Sequence, residues 1–148
     1  MNALAGSKDL YRTFTVWAFA YLLLLMFHFS VRKVLFESYT LNYGFWVYML
    51  CIPATIVSLL MLRGKMPWSF SVGGLLCLAF SIFGYYADYV LAVPWRSSID
   101  LPILIPYVAL YLGTLMFYWF PLGLISRKLW YAYAVLFLLS TILNITSH

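Results

Sequence analysis

Residues Met66–Pro94 read MPWSFSVGGLLCLAFSIFGYYADYVLAVP. The stretch opens on a Pro-Trp corner and stays apolar for the length of a bilayer crossing, which takes about 17–25 residues as a helix. At 100° per residue, Ser69, Gly73, Gly74, Cys77, Ser81, Gly84, Ala87 and Asp88 fall on one face. That face is small and smooth, and it ends in Asp88, the one acid inside any long apolar run. A carboxylate there is costly against lipid and is expected to face protein or water. The helix should therefore turn this face toward the inside of a bundle.

The rest of the chain repeats the pattern of apolar run and short connector. Of 148 residues, 66% are hydrophobic and 9% are charged, where a soluble domain carries about a quarter charged residues. This composition predicts an all-α, polytopic transmembrane helix bundle, a single integral membrane domain over residues 1–148. The apolar runs place five spans at approximately 13–31, 44–62, 67–93, 101–125 and 129–145. The connector Ser126-Arg127-Lys128 is very short. It leaves open a four-span arrangement in which the last run is re-entrant or lies on the surface. Lys8 and Arg12 precede an apolar run, but no small-residue cleavage site follows Phe14–Phe27, so the run reads as an uncleaved first span.

Charge gives an expected orientation. Nine basic residues against four acidic ones make a net charge of +5. They are scattered in short connectors, which points to a membrane surface rather than nucleic acid. With five spans, Lys8, Arg12, Arg63, Lys65, Arg127 and Lys128 share one side. Arg32, Lys33, Glu37, Arg96 and Asp100 share the other. The excess of basic residues then predicts a cytoplasmic N-terminus and an outer C-terminus. Trp17, Trp68 and Trp130 follow basic residues on the first side, and Trp46 and Trp95 lie near the second. They read as aromatic belts at the two interfaces.

Each run carries one small or polar stripe. The first has Trp17, Tyr21, His28 and Arg32. The second has Gly44, Tyr48, Cys51, Thr55 and Ser58, with Pro53 on the opposite face. The fourth has Tyr107, Tyr111, Thr114 and Tyr118, and its prolines 102, 106 and 121 predict local distortion. The fifth has Tyr133, Ser140, Thr141 and Asn144. Small residues let helix backbones approach, and hydroxyls can bond across helices.

Depth along the spans gathers His28, Arg32, Tyr48, Asp88, Arg96, Tyr107 and Asn144 at the outer end. One reading is an outward-facing polar site in which Asp88 holds a cation or proton and His28 exchanges one. The other is a register-fixing pair, Asp88 with Arg96 or with His28. A metal centre is not expected, because two histidines and four acids form no ligand cluster. Cys51 and Cys77 both lie in apolar runs and read as buried free thiols. The sequence implies no particular cofactor. The expected partners are the lipid bilayer and other membrane subunits or further copies of the chain. Minimal connectors and few ionisable groups point first to a non-catalytic subunit or accessory protein of a larger membrane complex. The alternatives are a transporter or channel for a small solute, ion or lipid working through the outer site, and a membrane enzyme acting on a lipid or isoprenoid.

Overall fold

A computed structural model describes the backbone of residues 2–91 and 100–146, and their side chains except those of 2–7, 36–38, 40 and 41. The described residues are helical, without strands. Five helices are long and apolar enough to cross a membrane. Helix α1 is Asn2–Tyr43, α2 is Trp46–Arg63, α3 is Ser69–Val90, α4 is Leu101–Ile125 and α5 is Arg127–Thr146.

Side-chain pairs fix the topology. Gly64 lies against Leu10, and Trp46 against His28, so α1 and α2 run antiparallel. Ser58 bonds to Ser71 and Tyr48 to Asp88, which sets α2 antiparallel to α3. Gly73 meets Tyr118 and Phe80 meets Tyr107, which reverses α4 on α3. Phe19 packs on Tyr133, and Arg32 bonds to Asn144, so α5 runs parallel to α1 and closes the bundle.

Helix α3 is the most buried of the five and α5 the least. Gly73, Gly74, Cys77, Ser81, Gly84, Ala87 and Asp88 are all buried, whereas Ala79 on the opposite face is exposed. A Cβ on Gly74 would overlap the Ala54 carbonyl and the Ser58 hydroxyl, and one on Gly73 would come within 3.0 Å of the Tyr118 ring. These glycines let α2 and α4 approach α3 closely. The Ser58 and Ser71 hydroxyls then bond to each other's carbonyls across the α2–α3 seam, at 2.8 and 3.3 Å. Large aromatics fill the rest of the core, among them Phe14, Tyr21, Phe70, Phe80, Tyr118 and Tyr133.

Three local features differ from the sequence reading. Residues Arg32-Lys33 do not end the first helix; α1 runs 42 residues, to Tyr43. Arg32 has a protein partner, and no Gly or Pro interrupts the chain between Arg32 and Gly44. Helix α2 is interrupted at Leu50, between α-helical segments Trp46–Met49 and Cys51–Arg63. Pro53 is the cause: it lacks an N–H for the Met49 carbonyl and crowds it. Trp17 is half-buried and donates to the Tyr118 hydroxyl at 2.9 Å, which makes it an inter-helix tie rather than a belt residue.

The short connector after α4 works because one residue makes the turn. Ser126 is extended, at φ −163° and ψ 132°. Trp119 then stacks on Trp130 at 4.6 Å and donates to its carbonyl at 2.9 Å. That staple holds α5 back against α4.

Candidate functional site

The site lies at the end of the bundle where α1 turns into α2. Its centre is Asp88, 9% exposed, on the inward face of α3. One turn earlier, Gly84 leaves room that no other residue would: a Cβ there would overlap the Tyr48 ring. Tyr48 of α2 therefore packs closely over Gly84, and its hydroxyl donates to Asp88 Oδ2. From Tyr86 to Val90 the helix widens into a π turn, closed by Leu91 N–H on the Tyr86 carbonyl at 2.9 Å. Such turns are rare and occur often at functional sites.

Helix α1 supplies His28, which is buried. Its ring lies 5.5 Å from Phe29, 5.6 Å from Tyr39 and 5.7 Å from Trp46. Eleven residues of straight helix would set Tyr39 about 16 Å beyond His28, so their 5.6 Å ring contact shows that α1 bends between them. The Trp46 indole donates to the Tyr39 hydroxyl at 2.7 Å, which fixes both rings around the imidazole.

Between these groups is a cavity of about 10 Å³, lined by His28, Tyr48, Asp88 and Tyr107 among apolar neighbours such as Leu25, Phe29 and Phe80. The volume suits one water molecule. Organic ligands occupy pockets of about 300–1,000 Å³.

Arg32 and Asn144 form a second locus. Arg32 is 5% exposed. It donates to Asn144 Oδ1 at 2.8 Å and, at 3.4 Å, to the Asn144 carbonyl near the C-terminus of α5. Charge there also complements the helix dipole. The guanidinium carbon lies 5.1 Å from the Phe29 ring centre, and Phe29 also lines the cavity. Lys33 donates to Thr146 Oγ1 at 3.2 Å.

The structure thus brings His28, Tyr48, Asp88 and Tyr107 around one cavity and sets Arg32 with Asn144 beside it. Arg96 lies outside the described residues. Sequence reasoning missed Tyr39 and Trp46 as neighbours of His28; no local spacing signals them, because the contacts depend on the bend of α1. Chemically the set offers a carboxylate, an imidazole and two phenols around room for a single water. No three His, Cys, Asp or Glu side chains come together among the described residues.

Compared with known proteins, the chain matches no family model, and neither a curated protein nor a solved structure is significantly similar to it.

Proposed function

We propose that the chain is an integral membrane protein that crosses the bilayer five times, N-terminus in the cytoplasm and C-terminus outside, and serves as a non-catalytic subunit or accessory protein of a larger membrane complex. One observation carries the reading: several polar groups of the interior are joined helix to helix, as in Tyr48–Asp88, Arg32–Asn144 and Trp17–Tyr118, although the buried Tyr133 hydroxyl has no hydrogen-bond partner among the described residues. Around them the outward surface is apolar, with Leu23, Phe27, Ile52, Ile56, Ile82, Leu124, Leu138 and Ile142 all exposed. Soluble monomers rarely expose such contiguous apolar area. The polar interior works as a set of clasps, and the surface is what remains to meet lipid and partners.

Extraction in mild detergent tests the assignment. A complex of fixed stoichiometry with another membrane subunit, or a defined homo-oligomer, supports it. A monomer that moves ions or solutes after reconstitution overturns it. Topology is tested with single cysteines in a chain lacking Cys51 and Cys77. Positions 7 and 126 should label from the cytoplasmic side and positions 97 and 147 from outside.

A second reading, transport of a small cation or proton through the outer site, is favoured by one feature: the π turn that carries Asp88 borders the water-sized cavity facing His28. In that case Asp88→Asn abolishes flux while the protein remains folded. As a clasp alone, Asp88→Asn lowers stability and leaves assembly of the surviving protein intact.

A further inference from the structure

The opposite end of the bundle gathers Lys8, Arg12, Arg63, Lys65, Arg127 and Lys128, all exposed. Packing puts them at one level: Leu10 lies under Gly64, and Tyr11 and Phe14 meet Phe70 at the start of α3. None of these cations has a hydrogen-bond or ion-pair partner among the described residues. Among the described residues, Asp9 is the one acid at this end.

The turn after α2 adds a second, independent observation. Met66 N–H bonds the Met61 carbonyl at 3.0 Å, and Lys65 N–H bonds the Leu62 carbonyl at 3.0 Å. This is the pattern that closes a helix through a residue in the left-handed region, a position that favours glycine. Here that residue is Lys65, at φ 54°. Gly64 precedes it at φ −75° and is committed to its close approach to Leu10. A lysine thus stands where the backbone favours glycine; it is exposed, as is Trp68 three residues on.

We propose that this end is a docking surface for anionic phospholipid headgroups. Phosphodiester oxygens accept charge-assisted hydrogen bonds, in paired form from the guanidinium groups of Arg12, Arg63 and Arg127. Lys8, Lys65 and Lys128 supply point charges, and exposed Trp68 fits the headgroup level. The inference rests on the membrane-spanning reading. Flotation with phosphatidylcholine vesicles separates the two: a chain that does not float loses both, whereas one that floats without headgroup preference loses only this.

The test uses the full chain in mild detergent, titrated with phosphatidylglycerol or phosphatidylcholine and read by native mass spectrometry. The expected result is preferential retention of phosphatidylglycerol, fading at about 0.5 M salt. Arg63→Gln and Arg127→Gln should each weaken retention about fivefold, and Lys33→Gln at the other end should leave it unchanged. Lys65→Gly is the decisive variant, because it relieves the backbone and removes the charge. It should raise the melting temperature in detergent while weakening phosphatidylglycerol retention. Equal retention of the two lipids overturns the proposal, as does undiminished retention by Lys65→Gly. Absence of lipid preference with binding of an acidic partner subunit at this end also overturns it.

Discussion

At the end of the bundle where α1 turns into α2, the buried charges of the described residues are tied into the protein. Asp88 accepts from Tyr48, Arg32 donates to Asn144 and Lys33 to Thr146. At the other end Lys8, Arg12, Arg63, Lys65, Arg127 and Lys128 reach outward with no partner among the described residues. The difference teaches where charge belongs to the fold and where it belongs to the surroundings. A buried ion left without its partner costs several kcal/mol, so the first end must supply partners from other helices. An exposed ion costs little and is left free to meet something else.

The sharpest way to break the comparison is Gly84→Leu. The new side chain would occupy the place of the Tyr48 ring, overpacking the seam and parting Tyr48 from Asp88. We expect a loss of about 3 kcal/mol, read by unfolding in detergent. Ala79→Leu, on the exposed face of the same helix, should shift stability by less than about 0.5 kcal/mol. Equal tolerance at the two positions would mean that the small face does not pack against α2.

Tyr48→Phe keeps the ring and removes the donor to Asp88. It should cost about 2 kcal/mol, the scale of a hydrogen bond to a charged group. Combined with Asp88→Asn, the two changes should be non-additive by more than about 0.5 kcal/mol. Additive losses would separate the residues. The same cycle for Asp88→Asn with His28→Gln asks whether the cavity couples them.

Arg32→Gln should cost about 1.5 kcal/mol by removing the charged donor to Asn144. Asn144→Ala should cost at least as much, because it leaves the buried guanidinium without that side-chain acceptor. The smallest effects are expected at the other end. Lys8→Gln, Arg63→Gln and Lys128→Gln should each stay within about 0.5 kcal/mol in neutral detergent. A larger loss at any of them would reveal a protein partner and dissolve the contrast between the ends.

Much of this was present in the sequence because it is local. A helix repeats every 3.6 residues, so the order of residues along α3 already placed Gly73, Gly74, Cys77, Ser81 and Gly84 together on the face that is buried. Apolar length marked the five long helices, and the positions of the basic residues separated the ends. Tertiary structure decided what no local pattern carries: which face meets which. Asp88 meets Tyr48, Arg32 meets Asn144 from the far end of the chain, and Trp17 turns inward to Tyr118. Each choice depends on the order in which helices pack, and each pair joins residues distant in sequence. The π turn at Tyr86–Val90 and the left-handed Lys65 likewise came only from the structure, since both depart from the usual preference of the backbone at those residues.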